Sequence, residues 1–358
     1  MKRCRYRDLG LTIGFFPPGP LNAITDVKGV KVGHTTIIQG HGDHVPGVGP
    51  VRTGVTIILP NDHIFDKKLI AGSFVLNGAG EMAGITQISE WGLIETPIGL
   101  TNTHEVGTVS RGIINWMSKK YERIWNSKNV VIPVVGECDD SYLNDTIGNH
   151  VHQNHVLEAI KNASSGPVRE GSIGAGTGMI CCDLKGGIGT SSRVVTIGEK
   201  DYTIGILVLS NFGLLEELRF DGYKVGKSLK QEVSQRRENY GSIIVVLATD
   251  IPLSSLQIHR LCKRAALGIG RIGSHAAHGS GEIIVGFSTA NTVSIGRRSP
   301  LVSLKIIGDE FLDHAYRAVI EATEEAILNS LCMATTMDGI KGRVAPEIDL
   351  KQLKKLME

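Results

Sequence analysis

The run SIIVVLATDIPL, Ser242 to Leu253, places apolar and β-branched residues at consecutive positions, leaving no alternate face for water. A strand of that kind is stable only when both of its faces are covered, which demands a sheet inside a layered fold. Shorter strand-like segments recur at Val30–Gly33, Val55–Ile58, Val130–Val135, Ser192–Ile197, Thr203–Ser210 and Glu282–Ser288. Apolar residues at helical spacing predict helices over Val106–Lys120, Asn149–Ala163, Ser255–Leu267 and Glu310–Asn329, with a turn at Val344–Pro346. Strands and helices mixed along the whole chain predict an α/β layered fold whose sheets are covered by helices. A length of 358 residues admits two domains or one large layered domain.

Forty-four glycines and only 5% aromatic residues point to tight turns and close backbone approaches. A net charge of +2 gives no electrostatic case for nucleic acid or membrane partners. The basic stretch Lys224–Arg237 reads as a solvated loop. It lies within Gly213–Tyr240, a polar segment poor in apolar residues after Leu218, and long connections of this kind are usually functional or mobile. Cys4, Cys138, Cys181, Cys182, Cys262 and Cys332 show no CxxC spacing, so reduced thiols in a cytoplasmic protein are expected. The basic start MKRCRYRDLGLTIGFFPPGP lacks an apolar stretch long enough for a signal peptide. No apolar run approaches the roughly 20 residues that span a bilayer.

Three familiar patterns fail on context. GIGRIG at Gly268–Gly273 matches GxGxxG, but it follows a predicted helix instead of joining a strand to a helix start, so the glycines read as helix-ending. GAGTGMICCDLKGG lacks the GxxxxGK[ST] order of a phosphate loop. His150, His152 and His155 in HVHQNH offer imidazoles for zinc, yet His150 and His152 would face different sides of a helix and HExxH is absent; His275 and His278 are similar. The GxSxG elbow of a Ser–His–Asp hydrolase is absent as well.

Gly241-Ser242, between the charged segment and the apolar strand, has two readings. One is ordinary strand punctuation. The other is a nucleophile: attack of the Ser242 hydroxyl on the preceding carbonyl, followed by ester hydrolysis, would free an α-amine at Ser242. That amine, with an ordinary pKa of about 7.7–8.0, would serve as base for its own hydroxyl. Glycine before the serine tolerates the strained backbone that attack requires.

From GPLNAITDVKGVKVGH (Gly19–His34) onward, the chain resembles the DmpA-type aminopeptidase family, the L-aminopeptidase/D-esterases and β-aminopeptidases. The resemblance is carried by VRTGVTIILP (Val51–Pro60), NGAGEMAGITQISEWGLIETPIGLTNTHEVGTV (Asn77–Val109), SYLND (Ser141–Asp145), GAGTGMICCDLKGGIGTSSR (Gly174–Arg193), Asn211–Gly213 and HGSGEIIVGFSTAN (His278–Asn291). It implies an α-β-β-α sandwich like that of the Ntn hydrolases but with different strand connectivity. It also implies self-cleavage into residues 1–241 and 242–358, assembly as a homo-oligomer (commonly a tetramer of processed pairs), and no metal or organic cofactor.

By the same resemblance Ser242 is the nucleophile for self-cleavage and then for substrate. Asn211 supplies an amide to the oxyanion, where a fixed neutral donor is useful. Ser280 and Glu282 lie beside the nucleophile, and their i, i+2 spacing at a strand's start puts both on one face. Glu282 would either move protons or hold the substrate's ammonium. Tyr142 lines the site as a candidate oxyanion donor. The expected activity is that of a self-processing serine aminopeptidase acting on short peptides, amides or esters with a free amine. An acyltransferase of similar fold and a non-processing binding protein are the alternatives. Residues 1–16 have no role in this reading.

Overall fold

Within Gly241–Thr249, Ile243, Val245 and Leu247 join one apolar layer while Ile244, Val246 and Ala248 join another, and the whole stretch is buried. The strand is therefore covered on both faces, as its unbroken apolar run requires. The computed structural model describes residues 1–358 except 127–129, 230–240, 295, 297 and 298.

In chain order the strands are β1 (Lys31–Gln39), β2 (Val51–Leu59), β3 (Lys67–Gly78), β4 (Met82–Ala83), β5 (Leu93–Ile94), β6 (Ile98–Asn102) and β7 (Val134–Cys138). They continue with β8 (Ile180–Cys181), β9 (Leu184–Lys185), β10 (Gly187–Ile197), β11 (Lys200–Phe212), β12 (Gly241–Thr249) and β13 (Gly281–Ser294). One sheet has the order β1-β2-β6-β7-β4 and the other β10-β11-β12-β13-β3-β5. Four longer helices complete the layers: α1 (Val106–Lys120), α2 (Gln153–Lys161), α3 (Ser255–Arg271) and α4 (Asp313–Met333). The first two cover the five-stranded sheet and the last two the six-stranded one. Between the sheets lies the apolar layer that Ile244, Val246 and Ala248 join, and it also includes Ile58, Leu100, Leu207, Leu209 and Val285. This is the expected α-β-β-α sandwich.

The strands β12 and β13 pair in parallel, whereas β11 runs antiparallel to β12. Parallel neighbours need a crossover, and α3 supplies it. Glycines let the layers approach. A Cβ on Gly189 would lie 1.9 Å from the Ala326 carbonyl oxygen of α4, so β10 carries that helix directly on its backbone.

Several boundaries differ from the sequence expectation. The strand expected at Val130–Val135 begins at Val134, after Pro133, and extends to Cys138. The helix expected from Asn149 begins at Gln153, because His152 is extended. Val344–Pro346 is not simply a turn: Val344–Ala345 pairs with Met337–Asp338. Within GIGRIG, Gly268 and Gly270 lie inside α3, and a Cβ on Gly268 would come within 2.7 Å of Ile320 O. Gly268 is thus a helix-packing glycine, while Gly273, with φ +113°, follows the helix end.

Within the segment Gly213–Tyr240, residues 213–229 are more ordered than their composition suggests. Leu215–Glu217 and Val225–Ser228 form short helical turns, and Leu218, Phe220, Val225 and Leu229 are buried. The remainder, 230–240, lies outside the described residues. The basic start is built into the fold. Arg3 donates to the Leu331 and Ile348 carbonyls, Arg5 to those of Leu21, Asn22 and Thr190, and Arg7 pairs with Glu325. All six cysteines are free. Among the described residues no helix is long and apolar enough to cross a membrane.

The contact under α4 yields a stability prediction. Gly189→Ala meets backbone atoms that no rotamer change can move, so it should destabilise the protein by about 1–3 kcal/mol, the range for overpacked cores. Urea unfolding at constant m-value reads this directly, and an unchanged midpoint would contradict it.

Candidate active site

Ser242 is the second residue of β12, and the sheet register sets its neighbours. It lies opposite Asn211 of β11, and the next residue, Ile243, lies beside Glu282 of β13. The preceding Gly241 has φ +61°, and a Cβ there would fall 1.7 Å from the Asn211 carbonyl oxygen. No other residue fits that position. Ser242 is 6% exposed, and its Oγ accepts the Gly281 N–H at 3.2 Å. Two further glycines clear the space around this oxygen. A Cβ on Gly281 would lie 3.1 Å from it and one on Gly80 3.6 Å from it.

The Asn211 side chain is held at both ends. Its Oδ1 accepts the Ile180 N–H at 2.8 Å, and its Nδ2 donates to the Asp139 carbonyl at 2.8 Å. One Nδ2 hydrogen remains for another acceptor. Ile180 belongs to the β8–β9 hairpin, which a buried lysine secures. Lys185 Nζ donates to the carbonyls of Gly176, Met179 and Gly186 at 2.7–2.9 Å. Burial pushes this amine down to about 7.

On the other side of Ser242, the Ser280 hydroxyl donates to Glu282 Oε1, while Glu282 Oε2 has no hydrogen-bond partner among the described residues. Burial raises the Glu282 carboxyl, partly offset by the Ser280 hydrogen bond and by His275. Ser242, Asn211, Ser280 and Glu282 thus gather at one end of β11, β12 and β13. Tyr142 is not among the residues that line the cavity beside Ser242; the Arg343 guanidinium lies 4.7 Å over its ring, which packs against the cluster of Leu143, Ile180 and Met337. Its neighbours Asp139, Asp140 and Ser141 line the cavity instead.

That cavity, about 520 Å³, opens at Ser242 and Gly241. Its lining includes Glu137, a residue the sequence reading did not select. Glu137 lies in β7 and is buried; Oε1 accepts the Glu81 N–H at 2.8 Å and Oε2 accepts the Thr103 hydroxyl. A Cβ on Gly80 would lie 3.2 Å from Glu137 Oε1, so carboxylate and Ser242 hydroxyl flank the same glycine. Burial raises the Glu137 carboxyl against the Thr103 and Glu81 hydrogen bonds, and the Asp139 charge raises it further. Burial also pushes the adjacent Asp140 up to about 7, against the polar groups of Thr53 and Asn144. A signal for Glu137 existed: it is a carboxylate inside an apolar strand, where ionisable groups are rare unless paired or functional.

The histidines considered for metal have other engagements. His150 Nε2 meets Asp145 at 2.9 Å, and the His152 and His155 rings stack at 5.4 Å. Among the described residues no group of three or more His, Cys, Asp or Glu side chains is placed to hold a metal ion.

Comparison with known structures fits this arrangement. The L-aminopeptidase D-Ala-esterase/amidase from Ochrobactrum anthropi, a prototype for the serine aminopeptidases and a variant of the Ntn hydrolase fold, superposes with a TM-score of 0.92. It is 39% identical, with 99% of this chain and 98% of that one covered. The PH0078 protein from Pyrococcus horikoshii OT3 superposes with a TM-score of 0.94 at 46% identity, over 99% of this chain and 98% of that one. The fold is therefore that of the Ntn-like serine aminopeptidases. The β-peptidyl aminopeptidase BapA of Sphingosinicella xenopeptidilytica is 42% identical over 370 aligned residues, 99% of this chain and 91% of that protein. Residues 22–345 match the model of Peptidase family S58, and the chain belongs to that family. Its activity is that of a serine aminopeptidase.

Proposed function

We propose that Ser242 is the nucleophile and that it is generated by cleavage of the Gly241–Ser242 bond. The observation that carries this reading is the setting of its hydroxyl: at the mouth of the cavity, against a backbone N–H, directly after a glycine in the left-handed region. In the precursor, Ser242 Oγ adds to the Gly241 carbonyl carbon and the C–N bond to Ser242 breaks, giving an ester and a free α-amine. Water then cleaves the ester, leaving chains 1–241 and 242–358.

In the mature enzyme the α-amine takes the Oγ proton as Oγ attacks the substrate carbonyl. The Gly281 N–H and the uncommitted Asn211 N–H are the donors for the oxyanion. The amine then passes its proton to the leaving nitrogen, and water hydrolyses the acyl-serine. The sequence left two roles open for Glu282. Its bond to Ser280 and its complete burial support a part in positioning and proton movement beside Ser242. The substrate's ammonium falls to Glu137, a carboxylate that lines the cavity across Gly80 from the nucleophile. A cavity of about 520 Å³ supports short peptides, amides and esters as substrates.

Exposed apolar side chains at Leu301, Val302, Leu304 and Ile306 support assembly of processed pairs into a homo-oligomer. Six free thiols support a cytoplasmic setting.

Denaturing electrophoresis with N-terminal sequencing should give two wild-type chains, the smaller beginning Ser-Ile-Ile, and one uncut chain for Ser242→Ala. Cleavage of the alanine variant, or a cut elsewhere, would sink the Ser242 mechanism. Glu137→Gln should raise KM about 10- to 100-fold, the loss of one charge-assisted contact, with a smaller effect on kcat. The sign of the pH effect follows from the raised pKa. Glu137 binds an ammonium only when ionised, so the wild-type KM rises as pH falls through that raised value. The glutamine variant should lose this limb, and a KM–pH profile shared by both proteins would reject the role. Light scattering of the native protein should report a multiple of 38.5 kDa; a single processed pair in solution would reject the oligomer.

A further inference from the structure

We infer that the cavity selects substrates whose amino-terminal residue carries a second positive charge on its side chain, such as lysine, ornithine or arginine, through the carboxylate of Asp139. The inference rests on Glu137 being the anchor for the substrate's α-ammonium.

The charge balance of the cavity comes first. Its lining contains three acidic residues, Glu137, Asp139 and Asp140, and among the described residues no lysine or arginine. With the Ser242 amine neutral, as a base must be, and Asp140 pushed up to about 7 by burial, an α-ammonium answers Glu137 and leaves Asp139 without a counter-charge. Like charges confined in a partly desolvated space repel, and a second cation relieves the repulsion. Asp139 already acts on Glu137 in this sense, since its charge is one of the causes that raise the Glu137 carboxyl.

Geometry gives the second charge a place. Glu137 and Asp139 are two residues apart as β7 leaves the sheet, and both line the cavity. Two residues of extended chain span about 6.6 Å, a distance that a lysine bridges between its α- and ε-nitrogens. The Asp139 carboxylate is half-buried and fixed in orientation. Its two oxygens accept the Ser141 N–H at 2.8 Å and the Ser141 hydroxyl at 2.9 Å, and each keeps a lone pair for another donor.

A second observation points the same way independently of Asp139. Asp140, 1% exposed, also lines the cavity, and its Oδ2 has no hydrogen-bond partner among the described residues. Buried carboxylate oxygens are normally satisfied. The wall beside Asp139 therefore holds unspent acceptor capacity. His104, the other titratable lining side chain, is tied through Nδ1 to the Thr146 carbonyl at 3.1 Å.

The test uses the processed wild-type enzyme with two probe pairs. Calorimetry compares 1,5-diaminopentane with 1-aminopentane, and kinetics compares the p-nitroanilides of lysine and norleucine, which differ chiefly in the side-chain charge. The dication should bind about tenfold more tightly, and lysine should exceed norleucine about tenfold in kcat/KM, one charge-assisted contact in each case. D139N should collapse both ratios to near one, whereas D139E, which keeps the charge, should retain most of them. Ratios near one in the wild type, or unchanged in D139N, would overturn the inference, and the wild-type ratios decide even if a variant fails to fold. A lysine preference found only on the leaving-group side would overturn it too. Asp139-dependent binding of the diamine without turnover of either anilide would leave charge selection standing and fail the hydrolase reading instead.

Discussion

Register along three adjoining strands governs this molecule. Because β11 and β12 pair with Asn211 opposite Ser242, an amide and a hydroxyl share one face at the sheet end, while Glu282, beside Ile243 in the β12–β13 ladder, takes the alternate face. A slip of one residue in either ladder would turn those side chains to the opposite face. What prevents the slip is apolar content on both faces of β12. Each alternate residue is claimed by a different buried layer, so a shift would cost both layers together. The run of β-branched residues after Ser242 is thus more than filling; it holds the hydroxyl in place.

Glycine then makes the cavity that the register aims at. Around the Ser242 hydroxyl, Gly80, Gly241 and Gly281 each stand where a Cβ would meet the hydroxyl, the Asn211 backbone or a neighbouring carbonyl. Removing side chains there brings backbone N–H groups close to the reacting atom, and such groups are donors that need no reorganisation. Carboxylates fill the opposite wall. Glu137 and Asp140 are both buried, and burial raises the carboxyl pKa in each case. Concentrating such groups costs stability, because desolvated carboxylates are poor contributors to folding, and a site that must bind an ammonium has a use for them.

Much of this was legible in the chain because it is local. Helix α1 spans the residues its periodicity predicts, Val106–Lys120, and the sheets are covered as the unbroken apolar runs require. Family blocks led to Asn211, Ser242, Ser280 and Glu282, and the fold brings these four together. What escaped was non-local. Glu137 reads as one letter inside a strand, and its proximity to Ser242 exists only after β7 of one sheet faces β12 of the other across the apolar layer. The arginines of the first seven residues have no role legible in the sequence, whereas Arg3 and Arg7 find carbonyls and a carboxylate hundreds of residues away. Composition misjudged residues 213–229 for a related reason. A few well-spaced apolar side chains, Leu218, Phe220, Val225 and Leu229, suffice to anchor a polar stretch when each one is fully used.

The same topology bears on what cleavage before Ser242 would do. Residues 242–358 would contribute β13 and nearly all of β12 to a sheet whose other strands, β10, β11, β3 and β5, belong to residues 1–241. On one side β12 is bonded to β11, and on the other β13 is bonded to β3, so the shorter chain is held between two strands of the longer one. Helix α4 adds a second hold. It rests on Gly189 of β10, and its buried Glu325 pairs with Arg193 at 2.6 Å and with Arg7 at 2.8 Å. Separating the chains would open two ladders, expose the layer beneath α4 and strand a buried arginine without its carboxylates. Each of these is among the costlier events available to a folded protein. A new terminus at Ser242 would therefore gain a free amine while the surrounding sheet kept its pairing, which is the condition for a nucleophile to be made by cutting the chain at the centre of its own core.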